Sequence, residues 1–410
     1  MTTPTRPELK LRPHTEVSRP TSILEYVHAS IGRSPHTLDG PREVIFIVEG
    51  EGVLPAARWQ HALDQVVAKN PGARLRMVGA RLASRWQSDG DPARLRIVPD
   101  CAWDGRSHIG AEFITATPLP LATGPTCELI IAESGTTSRV IVRASHAVMD
   151  GRGVMFFFYE LFRALRGEPV LGSNANFSDI DLMRAVGATH TESKLNKAAA
   201  LTGGAQGHEQ GDVWRRISIA GRRKNTMLRV MMAAAEFTRR HTPDQPCLFS
   251  LPIDLRRHLP ALNSTQNFSS MLMVSLLPGE GEAEFKRRLN HLLKHNMETY
   301  FVKAARLARA LPMHWLDWMM SRKPGNYYRK KPLETLLISH LGYYKQALLG
   351  CDGFTTQALY GIPLTGSAFC LAFGLERHLE VIIGIPRVYG SNGRYEAFMA
   401  ALERALDADA

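Results

Sequence analysis

Residues 142–165 read VRASHAVMDGRGVMFFFYELFRAL and carry a histidine, an aspartate and two glycines between two apolar runs. Before them, SRVIVRAS alternates as a strand does; after them, GVMFFFYELFRALRG repeats its apolar residues at helical spacing and stops at a glycine. The spacing predicts a strand, a tight turn and a helix. A histidine at a strand end can present its imidazole to a cleft while the strand holds its backbone. Its unperturbed pKa near 6.5 suits it to take a proton at neutral pH. His146 is therefore the candidate general base. Gly151 and Gly153 offer positions where φ > 0 costs little. Asp150 either orients the imidazole or binds an arginine elsewhere and holds the turn. The same three residue types also meet at ordinary turns, and the strand before and helix after give the pattern its weight.

Upstream, CELIIAES and SRVIVRAS, joined by a turn at Gly135, read as a hairpin whose second strand delivers His146. REVIFIVEGEG (42–52) reads as a strand closed by glycines, and LPAARWQHALDQVVAKNPG (54–72) as a helix ended by Asn70, Pro71 and Gly72. ARLRMVGARLASRW and ARLRIVP alternate as further strands. From about 172 to 212 the composition turns polar and rich in Gly, Ser and Thr, as a crossover does. The second half opens with a strand (VWRRISIAG), a helix (NTMLRVMMAAAEFTRR) and a strand (PCLFSLPIDLR). A long helix over 282–310, interrupted at Pro312, is expected next. Strands in LETLLISHLG, FTTQALYG, GSAFCLAFGL and HLEVIIGIP and a last helix complete the chain. Each half mixes strands with helices. The 410 residues thus divide into a polar N-terminal arm (1–20), an N-terminal lobe (21–172), a crossover linker (173–212) and a C-terminal lobe (213–410).

Composition narrows the function. An apolar fraction of 44% with 22% charged residues is that of a globular protein, and no run reaches the length of a spanning helix. The N-terminus lacks the apolar core of a secretory signal. Five scattered cysteines form no C-x-x-C pair, which argues against a disulfide framework or zinc ribbon and for a reducing cytosol. A net charge of +11 favours acidic partners: a nucleotide-bearing cofactor, an acidic carrier protein, an anionic membrane or nucleic acid. No glycine-rich phosphate loop is present, against a nucleoside triphosphatase or a dehydrogenase, and no nucleic-acid-binding motif accompanies the charge.

Three other stretches carry competing readings. SRKPGNYYRKKP (321–332) interleaves Arg322, Lys323, Arg329, Lys330 and Lys331 with two tyrosines. It suits docking of a carrier protein, the phosphates of coenzyme A or a lipid surface, and equally a solvated loop. His291 and His295 have the i, i+4 spacing of metal ligands, but without H-E-x-x-H they read as a solvated helix face, and no metal is expected. LPMHWLDWMM (311–320) reads as a core or channel-lining helix in preference to an interfacial anchor.

SHAVMDG (145–151) resembles the H-H-x-x-x-D-G signature of the chloramphenicol acetyltransferase-like superfamily. That group includes peptide-synthetase condensation domains, polyketide-associated and BAHD-type acyltransferases, alcohol acetyltransferases and wax ester synthases. RPTSILEYVH, KNPGARLRM, PLPLATGPTCELIIA, SLPIDLRRHLP, QNFSSMLMV and LLISHLG resemble further segments of the group, in order, across nearly the whole chain. Ser145 departs from the pattern, standing where the first histidine would be. LAFGLE at most echoes the late segment of the BAHD enzymes, which places the chain nearer the condensation-like branches.

The resemblance implies an α/β fold of two similar lobes in a V, with a tunnel at their interface. An acyl thioester would enter from one face and an alcohol or amine from the other, with His146 as base and no acyl-enzyme. It implies that Asp150 pairs with an arginine of the second lobe, Arg256 first and Arg257 second. Gly151 would let substrate approach the backbone, and Ser145, Asn267, Ser269 and Ser339 are channel candidates. The expectation is a free-standing cytoplasmic acyltransferase with no bound cofactor and no nucleic-acid partner. Its co-substrate would be acyl-coenzyme A or an acyl-phosphopantetheinyl carrier protein, and its acceptor a small alcohol or amine. Two alternatives are a docking domain that has lost catalysis and a membrane-associated lipid acyltransferase of the wax-ester-synthase kind.

Overall fold

Nine residues, Thr137–Ser145, form the central strand of a five-stranded sheet and end one residue before His146. This computed structural model describes residues 9–33, 42–190, 198–221, 225–300, 303–322, 332–363 and 366–407, with 303–306 and 320–322 as backbone only. The sheet runs in the order Thr355–Gly361, Glu43–Glu51, Thr137–Ser145, Cys127–Ser134 and Arg94–Val98. Ser145 pairs with Glu43 on one side, and its neighbour Ala144 with Cys127 on the other. Val140, Ile141 and Val142 are wholly buried, so the strand is covered on both faces, as its apolar run permits. The expected hairpin and the helix Gly151–Leu165 both form, and Val154, Phe158, Leu161 and Phe162 of that helix pack beneath the sheet.

A second, six-stranded sheet runs Ser269–Leu276, Cys247–Asp254, Leu336–Tyr343, Phe369–Gly374, His378–Pro386 and Asp212–Ala220. Leu336–Tyr343 is parallel to both of its neighbours, and the other pairs are antiparallel. Alternation along the strands divides its side chains between two cores. Cys370, Ala372, Val381 and Ile383 pack with Met231 and Phe398 of the helices Thr226–Arg239 and Arg394–Asp407. Leu371, Phe373 and Ile382 point the other way and join the core of the first lobe. The chain is thus a two-lobed α/β protein whose lobes share packed apolar surface.

Three features differ from the sequence reading. Thr355–Gly361, well inside the span expected to form the C-terminal lobe, pairs antiparallel with Glu43–Glu51 and completes the first sheet. It covers an edge of backbone donors and acceptors that would otherwise be open. The expected long helix is instead Glu282–Lys294 followed by the 3-10 turns Met297–Thr299 and Lys303–Ala310. Asn296 takes φ 53°, a left-handed conformation that ends the helix and that asparagine tolerates. The N-terminal arm, where described, is tied down. Arg12 and His14 N–H donate to the carbonyls of Asn174 and Ser173, and Ser18–Pro20 pairs with Arg85–Gln87.

The helix Met313–Arg322 buries Leu316 and Asp317 against the helix Ile23–Ser30 and leaves Trp315 58% exposed, so it is neither wholly core nor an apolar face. All five cysteines are unpaired thiols. Among the described residues, no helix is long and apolar enough to cross a membrane.

Candidate active site

His146 is the first residue beyond its strand. Its N–H donates to the Arg42 carbonyl (2.9 Å), and the N–H groups of Val148 and Met149 fold back onto the Ser145 carbonyl (2.9 and 3.0 Å). Asp150 then caps the helix, its Oδ1 accepting from Gly153 N–H at 2.6 Å. Its Oδ2 accepts from the Phe268 N–H at 2.7 Å and from Arg256 Nη1 at 2.9 Å. Arg256 in turn donates to Asp254 Oδ1 (3.0 Å) and to the carbonyls of Ser264 (3.1 Å) and Gln266 (2.7 Å), and it lies over the Phe268 ring. Of the two roles open to Asp150, the structure realises the arginine pair. Arg257 turns elsewhere, to Glu298 and the Leu293 carbonyl.

Gly151 and Gly153 have no positive φ, contrary to the turn argument, because both already belong to the helix. What demands glycine is close approach. A Cβ on Gly153 would lie 2.2 Å from the Thr265 carbonyl oxygen of the second lobe; one on Gly151 would lie 2.9 Å from the Phe46 ring. Gly153 lets the helix abut foreign backbone, which no spacing within the motif reveals.

From the second lobe, Asn267 donates to the His146 carbonyl (2.8 Å), and its amide nitrogen lies 3.4 Å from the imidazole Nδ1. Its Oδ1 accepts from the Ser269 hydroxyl at 2.9 Å. The imidazole is half-buried and opens on a cavity of about 170 Å³. His28, Phe46 and His146 stand on the first-lobe side, and Ser269, Leu337 and Ser339 on the second. Most of the remaining wall is aliphatic or aromatic. Ser269 and Ser339 therefore line the space. Ser145 and Asn267 support the turn from behind it: Ser145 is buried, and its hydroxyl accepts from the Ala147 N–H at 3.4 Å.

Burial lowers the pKa of His146 below the ordinary histidine value, and Arg42 acts in the same direction. Backbone carbonyls of His146 and Met149 and the nearby Asp150 oppose this, but burial prevails and the resting ring is neutral. That is the state a general base requires.

One residue of the site was not singled out in the sequence, although it ends the segment RPTSILEYVH. His28, on the helix Ile23–Ser30, stacks on His146 with ring centroids 4.2 Å apart and planes 11° from parallel. Arg322 ends the helix Met313–Arg322 with its side chain not described, and Lys323, Arg329, Lys330 and Lys331 lie outside the described residues. His295 hydrogen-bonds Thr189, and its ring lies 4.5 Å from that of His291. Among the described residues, no group of three potential ligands is arranged to hold a metal ion.

No family model and no curated protein matches the sequence. Solved structures do match the fold. A variant of the starter condensation domain of rhizomide synthetase RzmA in complex with C8-CoA is similar at TM-score 0.66 and 13% identity, over 96% of each chain. A double variant of that domain, in complex with C8-CoA and Leu-SNAC, gives 0.66 and 14%, over 97% of this chain and 95% of that one. The condensation domain from the monacolin K polyketide synthase MokA gives 0.66 and 12%, over 97% and 98%. The chain has the fold of condensation domains, which belong to the chloramphenicol acetyltransferase-like superfamily.

Proposed function

We propose that the protein moves an acyl group from a thioester to a hydroxyl or amine acceptor, with His146 as general base. The observation that carries this reading is a neutral, half-buried imidazole opening on a largely apolar cavity walled by both lobes. An apolar wall suits an acyl chain, and the hydroxyls of Ser269 and Ser339 offer polar contacts beside it. Solved domains of the same fold bind C8-CoA and Leu-SNAC, a thioester and an aminoacyl thioester, which supports the same substrate class here.

In the proposed reaction the imidazole takes the acceptor's O–H or N–H proton as that atom attacks the thioester carbonyl. The new C–O or C–N bond forms, the C–S bond breaks, and the imidazolium returns the proton to the departing thiolate. Holding both substrates in one cavity makes the step effectively unimolecular, and general-base assistance adds a factor of about 10²–10⁴. Asp150 and Arg256 act on the backbone of the turn, and Asn267 holds His146 through its carbonyl. The donor is a coenzyme A or carrier-protein thioester, both acidic partners for a chain of net charge +11; we favour the carrier protein.

The test is thiol release from a panel of acyl-coenzyme A and acyl-carrier thioesters with pooled alcohols and amines. Acceptor-dependent release that collapses in His146→Ala, with circular dichroism unchanged, supports the reading and identifies the donor class. Release that survives the substitution removes His146 from the chemistry, and no release from any donor counts against acyl transfer.

A further inference from the structure

Ser145 stands where the resemblance expects a second histidine, yet a second imidazole does lie against His146. It comes from another element, the helix Ile23–Ser30, and the two rings lie almost parallel at 4.2 Å. Both border the same cavity.

The helix that carries His28 is held at several points. Ser22 and Glu25 form a reciprocal cap at its start, and Arg19 pairs with Glu25 at 2.5 Å. The Tyr26 hydroxyl donates to the Leu311 carbonyl at 2.8 Å. Within this frame the Nδ1 of His28 is buried and has no hydrogen-bond partner among the described residues, so that nitrogen serves neither a turn nor a cap. What the ring does make is the stack.

We propose that His28 is the positioning residue of the general base: its neutral ring fixes the plane of the His146 imidazole and stabilises, face-on, the imidazolium formed when His146 takes the acceptor's proton. This rests on the acyl-transfer reading for its catalytic consequence, but the stack itself does not. A cation over an aromatic face is favoured, and more so where water is excluded.

The charges around the pair assign the proton to one ring. Burial, the His146 charge and Arg42 hold the His28 pKa well below the ordinary value. Burial and Arg42 also lower the His146 pKa, but there Asp150 and two backbone carbonyls oppose them, and His28 has no such opposition. From the strand Glu43–Glu51, Glu43 also borders the cavity, but Arg143 Nη2 holds its carboxylate at 2.8 Å. The second-lobe side presents the uncharged Ser269 and Ser339. His146 therefore takes the proton, and His28 stays neutral beneath it.

The test compares His28→Phe, which keeps an aromatic face, with His28→Leu, which keeps bulk without one. We expect the Leu variant to lose about tenfold in kcat with KM within about twofold. Its His146 titration, followed by NMR of the ring protons, moves to lower pH than in the wild type. The Phe variant retains most of kcat and a wild-type titration. Two results would overturn the proposal: a His146 titration that is the same in the Leu variant as in the wild type, or equal losses in both variants. Because the titration needs no substrate, it judges the stack even if no thioester is turned over, a result that would instead count against the acyl-transfer reading.

Discussion

Asp150 and Arg256 lie 106 residues apart in the chain and meet at 2.9 Å across the lobe contact, with 2% and 11% of their side chains exposed. The carboxylate simultaneously caps the helix after His146 and accepts the Phe268 N–H. One buried charge thus ties the turn that aims the base to the backbone of the other lobe. Removing Arg256 leaves that carboxylate short of its cation, and breaking a buried pair in this way costs about 3–5 kcal/mol. Arg256→Ala is expected to lower the denaturant midpoint accordingly. Arg256→Lys should recover only part, because an ammonium cannot reach Asp150, Asp254 and two carbonyls together. Equal midpoints for Arg256→Ala and the wild type would show that the pair holds nothing.

Gly153 is a steric requirement rather than a conformational one. Gly153→Ala sets a methyl group 2.2 Å from the Thr265 carbonyl and must part the helix from the second lobe. We expect a fall in Tm of about 1–4 °C, from overpacking costs of about 1–3 kcal/mol set against the unfolding entropy of a 410-residue chain. Gly204→Ala, with nothing within 4 Å of its Cβ and no positive φ, should leave Tm unchanged and serves as the control.

The lowered pKa of His146 has a kinetic signature. A base whose pKa lies below the ordinary value stays unprotonated further into acid, so the acid limb of kcat/KM should fall below pH 6.5. The limb should be absent from the residual rate of His146→Ala. An acid limb above the ordinary histidine value would contradict the burial argument.

Asp179 predicts a pH dependence of stability. It is fully buried at the start of the helix Asp179–Val186, and burial, with Glu25 nearby, pushes its carboxyl up to about 8. The unfolded chain releases this proton near pH 4, the folded chain near 8, so this group's contribution falls as pH rises between those values and is lost above pH 8. Asp179→Asn removes the titration. Its Tm should exceed that of the wild type at pH 8 by more than at pH 5, as differential scanning calorimetry would measure; the same difference at both pH values would refute the shift.

The strand, turn and helix around His146 were legible because each rests on local periodicity: Val140, Val142 and Ala144 on one segment, Val154, Phe158, Leu161 and Phe162 on the next. The candidate base was legible with them. His28 was not, since nothing in ILEYVHAS distinguishes a ring that will stack on a residue 118 positions away from any other polar position of an amphipathic helix. The break at Asn296 is not legible in the sequence, because a single left-handed residue overrides an apolar pattern that continues on either side of it.

What the sequence determined by itself is what side-chain period and residue chemistry determine: which segments form strands and helices, and that a histidine, an aspartate and two glycines lie at one strand-to-helix junction. Tertiary structure decided which sheet each strand joins and which residues meet. Thr355–Gly361 reads TTQALYG, which would suit a strand of either sheet; in the folded chain it pairs with Glu43–Glu51 and closes the edge of the first sheet. The glycine at position 153 and the ring at position 28 are likewise explained only by Thr265 and His146. Contact between distant segments is settled by packing the whole chain, and local periodicity carries no record of it.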